Sequence, residues 1–570
     1  MNHTNIRKMA SPLAAFILTA AMLTLAQAPI GWWPLAWAAY VPFILVCSSK
    51  SKPSRLYLAS YIVGTCFWLG NIYWISFVTV AGWIAACMYL GLLWPLLALT
   101  LRWCINRKIP LVIAVPILVV GMEKSQGLFF GGFFWHFLGH SQYDNTALIQ
   151  IADIFGAAGV SFLVAMANGV IAQLVISAMN LEKKQDWRFS ILNSKFSILI
   201  VVAAVAGALI YGKWRIGQSD RFITSGPMIG AVQTNVPQSV KESFEAEQQI
   251  FDEALNEGEL CLQSGAELIV WPETMVQAIL EPQVLRLLDE SHSYKIFDKT
   301  ISVHAQKGAY VLVGAYGGNH TIEENRDIKM TEKFNSAFLY KPDGSRSPQK
   351  YYKIHLVPFG EYLPFKNIPL IHNLLLKFSP YDFDYTLDAG KTYTAFEMAG
   401  KNGAAYRFSV IICYEDAVPN MVRRFVLDKD GRKRIDWLVN ISNDGWFVRF
   451  KDDKVLPSSE LAQHTAICVF RAIENRVVVL RCVNTGISCM IDSLGQIRNG
   501  YAAGNLPENA FDRQGVKGWF ADMVPIDSRI TFFSRYGFWL DFACQLCLAG
   551  IIITRLAERF IFQKMLKPKP

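Results

Sequence analysis

Apolar positions are distributed unevenly along the 570 residues. Seven long apolar stretches come first, near residues 10–28, 32–48, 56–80, 82–103, 109–129, 148–179 and 196–213, and another lies near 537–554. Each approaches the roughly 20 residues that a helix needs to cross hydrocarbon. The Gly, Trp and Pro within several of them are tolerated in membrane helices. The pattern predicts a bundle of seven membrane helices over residues 1–215. A C-terminal membrane helix with a basic tail is predicted over 536–570. Between 227 and 527 the apolar runs shorten. Strand-like runs fall at Met228–Val236, Glu267–Trp271, Ala309–Ala315, Asn335–Tyr340, Tyr406–Cys413, Trp437–Ile441, Val477–Val483 and Ile487–Asp492. Helical periodicity separates some of them, at Ser243–Gln263, Pro282–Gln306 and Glu460–Asn475. Such alternation predicts a layered α/β domain. At about 300 residues it is long enough to bury its own core.

Composition agrees with this division. The chain is 52% hydrophobic and 18% charged, too apolar for an ordinary soluble protein of its size. The formal charge is +9, but Lys and Arg cluster beside the apolar stretches. With no zinc spacing and no basic stripe interleaved with aromatics, nucleic acid is not an expected partner. The basic residues fall on alternate loops. Arg7 and Lys8 precede the first stretch; Lys50, Lys52 and Arg55, then Arg102, Arg107 and Lys108, then Lys183, Lys184, Arg188 and Lys195 mark every second connection. The long fifth connection has only Lys124, and the tail carries Arg555, Arg559, Lys564, Lys567 and Lys569. The positive-inside rule then puts both termini in the cytoplasm and the 227–527 domain across the membrane. In a bacterium with an outer membrane that side is the periplasm, and the membrane is the inner one. Arg7-Lys8, a short apolar core and Ala26-Gln27-Ala28 also fit a cleaved signal peptide, which would leave the remaining topology unchanged.

Eleven cysteines form no disulfide pattern, and the five in the middle domain leave at least one thiol unpaired within it. Cys544 and Cys547 form a C-x-x-C within an apolar helix, where two small packing residues are expected rather than a redox pair. His136 and His140 stand four apart, but without a third ligand nearby they read as packed or interfacial histidines. No metal and no cofactor is expected.

Three motifs carry candidate chemistry. Trp271-Pro-Glu273, Lys353-Ile-His-Leu-Val-Pro-Phe-Gly-Glu361 and Ser409-Val-Ile-Ile-Cys413-Tyr-Glu-Asp416 each lie beside a short apolar run. A free thiol ionises near pH ~8.5, so a cysteine nucleophile needs a base. Glu273 is the candidate base, and Lys353 can stabilise an oxyanion together with a backbone N–H after the nucleophile. The product of attack on an ester is a thioester on Cys413, which water would hydrolyse and an amine would convert to an amide. Singly, each motif is weak. A lone Cys is usually a small buried hydrophobe, and Glu415 could merely open a helical first turn. The three in order, followed by Asn440-Ile-Ser-Asn-Asp-Gly-Trp446, point to one site.

These elements resemble those of the nitrilase superfamily, and within it the membrane branch of apolipoprotein N-acyltransferases. The resemblance extends to Val232-Gln-Thr-Asn-Val-Pro-Gln238, His355–Phe365, Ser442–Phe447, Arg471-Ala-Ile-Glu-Asn475 and, in the apolar part, Ile149–Gly156. It implies an αββα sandwich attached to a bundle of about eight transmembrane helices, acting as an integral membrane monomer. It also implies a ping-pong reaction in which a phospholipid donates an acyl chain to Cys413. The acceptor is the α-amino group of a diacylglyceryl-modified N-terminal cysteine on an apolipoprotein. The match makes Glu273 the base, Lys353 the oxyanion stabiliser and Cys413 the nucleophile. Glu361 and Glu415 support the site, and Asn335, Tyr414 and Trp446 line it. Where the family's loop continues from Lys to a Trp, this chain has Glu242 after Lys241, with Phe244 two residues on.

Asn367–Phe378 is an apolar stretch between Lys353 and Cys413. It reads either as a short helix packed on the core or as an arm that dips into the bilayer surface. Two other functions fit parts of the sequence. A membrane-tethered nitrilase-type amidase would use the same three residues with water as acceptor. A transporter with an accessory domain would need ionisable residues in the spans, and Asp153 is one of few candidates.

Overall fold

The computed structural model describes residues 12–128, 132–181, 187–238, 246–322, 328–365, 367–376, 386–452 and 454–566. The chain forms two compact units. One comprises Met1–Tyr73, Trp83–Ile216 and Tyr536–Pro570; the other comprises Trp74–Gly82 and Gly217–Arg535.

The first unit is helical. Among the described residues, four helices are long and apolar enough to cross a membrane: Val80–Asn106, Ala157–Met179, Lys195–Gly217 and Trp539–Ile561. Pro12–Ala26, Trp33–Ser48 and Thr146–Phe155 are apolar but shorter. The stretch at 32–48 is not one continuous helix, because a 3₁₀ turn at Trp33–Trp37 precedes Val41–Ser48. Small residues let helices approach closely, as expected where backbone packing drives association. A Cβ on Gly169 would lie 2.4 Å from the Leu111 carbonyl oxygen, and one on Gly121 would lie 2.9 Å from that of Cys544. Cys544 is therefore a packing residue; it is buried, Cys547 is exposed, and both thiols are free. His136 packs edge-on against Phe67 and Trp68, while His140 Nδ1 accepts the Phe137 N–H and its ring stacks on Phe137. Asp153 is held by Arg215 at 2.8 Å and by the Tyr211 hydroxyl at 2.7 Å.

The second unit contains, in chain order, strands β1 (Ile223–Gln233), β2 (Leu268–Val270), β3 (Val276–Ile279), β4 (Tyr310–Ile322), β5 (Ile328–Tyr340), β6 (Arg346–Tyr352), β7 (Phe396–Ala399), β8 (Ala405–Ile412), β9 (Trp437–Ser442), β10 (Arg449–Lys451), β11 (Lys454–Leu456), β12 (Val478–Val483), β13 (Cys489–Ile491), β14 (Ala503–Gly504) and β15 (Gly518–Asp527). An eight-stranded sheet runs β14-β15-β1-β2-β4-β5-β6, with β3 also paired to β4. A five-stranded sheet runs β13-β12-β9-β8-β7, and β10 and β11 form a separate ribbon. Pairs β1/β2, β2/β4, β8/β9 and β9/β12 are parallel, and the outer pairs are antiparallel. The sheets face each other, since Cys482 Sγ on β12 donates to the carbonyls of Val232 and Val270 on β1 and β2, each at 3.2 Å.

Helices cover the outer faces. Glu247–Gln263 and Ser293–Ala305 place Phe251, Cys261, Phe297 and Ile301 in one buried cluster with Ile269, Trp271 and Val311 of the large sheet. Ser459–Asn475, buried from Glu460 onward, lies on the small sheet beside Pro419–Val426. The unit is therefore an α/β domain of four layers.

Several expectations shift. The helix expected over Pro282–Gln306 is broken into Pro282–Leu285 and Ser293–Ala305. The polar run Asp289–His292 interrupts it, and the His292 side chain accepts the Tyr294 N–H to cap the second piece. The helix expected from Ser243 begins at Glu247, with residues 243–245 outside the described set. Strands β3, β6, β7, β10, β11, β14 and β15 match none of the expected runs. Pro348 and Pro525 disguise two of them, and Pro525 sits beside the register shift between Ser225 and Met228, where a missing N–H is tolerated. Glu242 and Phe244 also lie outside the described residues, as does Phe378.

Candidate active site

Parallel strands end together at one edge of the sandwich, where layered α/β domains place their chemistry. Glu273 follows β2, Cys413 follows β8, Asn443 follows β9 and Asn484 follows β12. The loop carrying Glu273 crosses β4 at Gly314, where an added Cβ would lie 2.4 Å from the Pro272 carbonyl oxygen and 2.8 Å from Glu273 Cα. The missing side chain is what allows the loop to settle there.

Four of the expected residues converge on one buried cluster. Asn335 Nδ2 donates to Glu273 Oε1 at 2.6 Å and to Glu361 Oε1 at 3.0 Å. Lys353 Nζ lies 2.9 Å from Glu361 Oε1 and 3.3 Å from Glu273 Oε1. The lysine follows β6, and its backbone N–H donates to the Asn335 carbonyl, which aligns the two side chains on neighbouring strands. Glu361 is fixed from its other oxygen by the Val357 N–H at 2.9 Å. Glu273 is fixed likewise by the Asn443 N–H at 2.8 Å. Lys353 is only 1% exposed. Burial alone would lower its ammonium, but Glu361 and then Glu273 outweigh burial and hold it well above the ordinary lysine value.

Cys413 begins a 3₁₀ turn, Cys413–Ala417, and adopts φ 53°. A left-handed backbone at a residue with a Cβ costs about 1 kcal/mol or more, so surrounding contacts must impose it. Burial pushes the thiol well above its ordinary value and Glu273 pushes the same way, while Lys353 and a hydrogen bond with the Ser442 hydroxyl pull it back. Both charges of the cluster thus act on the sulfur. Burial and the Glu273 charge thus favour the protonated thiol in a site that also holds an ammonium.

Glu415 turns away from this cluster. Its carboxylate accepts the N–H groups of Ile354 at 2.7 Å, His355 at 3.0 Å and Ile412 at 2.7 Å, and the Tyr351 hydroxyl at 2.8 Å. It pins the Lys353 loop to the Cys413 turn. Burial pushes its carboxyl up to about 7, against the pull of the His355 N–H and the Lys353 charge. Tyr414 is half-buried with its ring 5.9 Å from that of His355. Trp446 is half-buried in the turn Asp444–Phe447, whose Phe447 packs edge-on against Trp74. The apolar arm contains a helix at Pro369–Leu376, and Leu370 is 84% exposed, so at that position it is not core.

Sequence reasoning missed several members. Asn443 acts on Glu273 through its backbone and has no side-chain signature for this. Asn484 ties Thr234 and Val236 to Asn443 with contacts of 2.6 to 2.8 Å, which anchors the 232–238 loop at the site. Beneath the Cys413 turn, Asp416, Asp444, Glu460, His464 and Arg481 form a buried charged cluster. Among the described residues, Asp444, Glu460 and His464 are the set that could gather around a metal ion. The Arg481 guanidinium, 3.4 Å from Asp444, already supplies positive charge there.

Known proteins match along this chain. A profile of the Apolipoprotein N-acyltransferase N-terminal domain matches residues 19–170, and one of the Carbon-nitrogen hydrolase domain matches residues 228–507. An apolipoprotein N-acyltransferase of Geobacter metallireducens is 31% identical over 562 residues, covering 95% of this chain and 94% of that one. The chain belongs to the apolipoprotein N-acyltransferase family. An apolipoprotein N-acyltransferase of Chlorobaculum tepidum is 24% identical and covers 92% of each chain. Among solved structures, a mutant of the Nesterenkonia AN1 amidase from the nitrilase superfamily is similar at 15% identity and a TM-score of 0.33, covering 53% of this chain and 91% of that one. In apolipoprotein N-acyltransferase terms, the Carbon-nitrogen hydrolase match contains Glu273, Asn335, Lys353, Glu361 and Cys413, so the clustered side chains all fall within one domain.

Proposed function

We propose that this bacterial membrane protein moves an acyl chain from a membrane phospholipid to lipoproteins through a thioester on Cys413. The acceptor is the α-amino group of the diacylglyceryl-modified N-terminal cysteine of an apolipoprotein. The observation that carries this reading is the convergence of Glu273, Lys353, Glu361 and Asn335 beside a thiol in a left-handed turn. In the first half-reaction, Glu273 takes the thiol proton as Sγ attacks the ester carbonyl carbon. Lys353 and the N–H following the nucleophile stabilise the oxyanion. The C–O bond then breaks, the alkoxide of the lysophospholipid recovers the proton from Glu273, and the thioester remains. In the second, the acceptor amine attacks the thioester carbonyl and loses a proton to Glu273. The C–S bond breaks, an amide forms, and the proton returns to sulfur.

The lipid part of the reading is supported by four apolar helices of membrane-crossing length, which a hydrolase of small soluble amides would not need. We place the protein in the inner membrane with eight spans, seven before the catalytic domain and one after it. Both termini lie in the cytoplasm, and residues 227–527 lie in the periplasm. Loop charge alternation supports this orientation. The test is a phospholipid labelled in its acyl chain, given to purified protein in detergent. Hydroxylamine-sensitive label should appear on wild type and be absent from Cys413→Ala, with membrane insertion intact. Glu273→Gln should slow labelling by at least ~10², a typical loss for a general base. Label on the Ala variant would remove the nucleophile assignment.

A further inference from the structure

The cluster beneath the Cys413 turn touches no atom of the proposed reaction, yet it links both sides of the site. Arg481 lies on β12, in register with Asn440 on β9. Its Nη1 donates to Asp416 Oδ2 at 2.8 Å and to Asn440 Oδ1 at 3.1 Å, and its Nη2 lies 3.4 Å from Asp444 Oδ2. His464 faces the same two carboxylates, with Nε2 2.7 Å from Asp416 and Nδ1 3.5 Å from Asp444; Nδ1 is also 3.1 Å from Glu460. Asp416, Asp444, His464 and Arg481 are buried. Buried charges persist only when paired. Each carboxylate is tied to a reacting group. Asp416 lies within the turn that Cys413 opens. Asn440, held by Arg481, donates in turn to the Cys413 carbonyl at 3.2 Å. Asp444 accepts the hydroxyl of Ser442, the last residue of β9, at 2.6 Å. Asp444 also follows Asn443, whose N–H holds Glu273.

We propose that Arg481, together with His464, is the positioning element of the reaction. By gripping Asp416 and Asp444 on one centre, it sets the Cys413 thiol against the Glu273 carboxylate. This rests on Cys413 and Glu273 having the roles given above. The charges balance in support: Asp416 and Asp444 drive the His464 imidazole toward its cationic form despite burial, while burial pushes Glu460 up to about 7. Two cations then face two carboxylates.

Arg481→Lys tests it, because it keeps the charge and loses the fork that reaches both carboxylates. The full chain in detergent should remain folded, at a lower melting temperature, and keep its KM for labelled phospholipid. The thioester-forming rate should fall about 10²-fold, as expected when reacting groups shift by about 1 Å. Alkylation of Cys413 by iodoacetamide, read by peptide mapping, should slow in parallel, which a purely structural role would not cause. Folded Arg481→Lys with wild-type rates of thioester formation and alkylation overturns the proposal. If that variant does not accumulate, His464→Gln carries the same readouts. Failure of both to accumulate assigns the cluster to stability alone and also overturns it. Cys413→Ala, run in parallel, separates this from the underlying reading, since label on that variant would refute the nucleophile whatever Arg481 does.

Discussion

Lys353→Met separates charge balance from catalysis. Lys353 Nζ lies 2.9 Å from Glu361 and 3.3 Å from Glu273. At an effective dielectric of about 20, each contact represents roughly 5 kcal/mol of attraction, much of it offset by desolvation of the three groups. Removing one partner from such a buried set costs about 3–5 kcal/mol. In Lys353→Met the two carboxylates face each other across Asn335 with no cation between them. The melting temperature of the full chain in detergent, at one scan rate, should fall by about 6–10 °C, taking about 2 °C per kcal/mol for a domain of this size. Adding Glu361→Gln removes one of the two opposed charges, and the double variant should recover roughly half of the loss. Acyl transfer should not recover, because the oxyanion donor is still missing; both variants should stay down by at least ~10². A double variant that melts no higher than Lys353→Met would refute the electrostatic coupling. One that regains transfer along with stability would show that Lys353 serves only to neutralise the carboxylates.

Other perturbations follow from the same geometry. Gly314→Ala should displace the Glu273 loop, since its Cβ would lie 2.4 Å from the Pro272 carbonyl oxygen; thioester formation should drop at unchanged KM, and wild-type rates would show that the loop position is immaterial. Ile368→Asp with Leu370→Asp alters side chains 46% and 84% exposed, so stability should hold. Transfer from bilayer phospholipid should slow strongly while a short-chain soluble ester reacts almost normally, and equal loss with both would remove the lipid role of the arm. A reporter fused after Pro570 should read as cytoplasmic and one inserted near Asp430 as periplasmic; the opposite pattern would remove the proposed orientation.

The members of the candidate site were legible where side chains form the contacts. Glu273 and Cys413 each follow an apolar run that becomes a strand, and Lys353 follows β6. Asn443 was not legible, because its contribution is a backbone N–H set by where β9 ends. Arg481 and His464 were hidden differently. Arg481 interrupts the otherwise apolar run Val478–Val483, and His464 lies in an amphipathic helix. Their partners Asp416 and Asp444 are separated from them by 65 and 37 residues in the one case and by 48 and 20 in the other. No local pattern announces such a contact. Fold legibility followed the same rule. The parallel inner strands read as apolar runs because both faces are buried, whereas β6 and β15 carry Pro and polar residues and escaped notice.

The most direct measurement is a chase of the labelled intermediate. Protein carrying labelled acyl chain on Cys413 is freed of donor and mixed with a peptide bearing an N-terminal diacylglyceryl-cysteine. The hydroxylamine-sensitive label should leave the protein as equal label appears on the peptide in hydroxylamine-resistant amide linkage. Release of the label as free fatty acid at the same rate with or without the peptide would mean that water is the acceptor, and that acyl transfer to lipoproteins is not the reaction of this site.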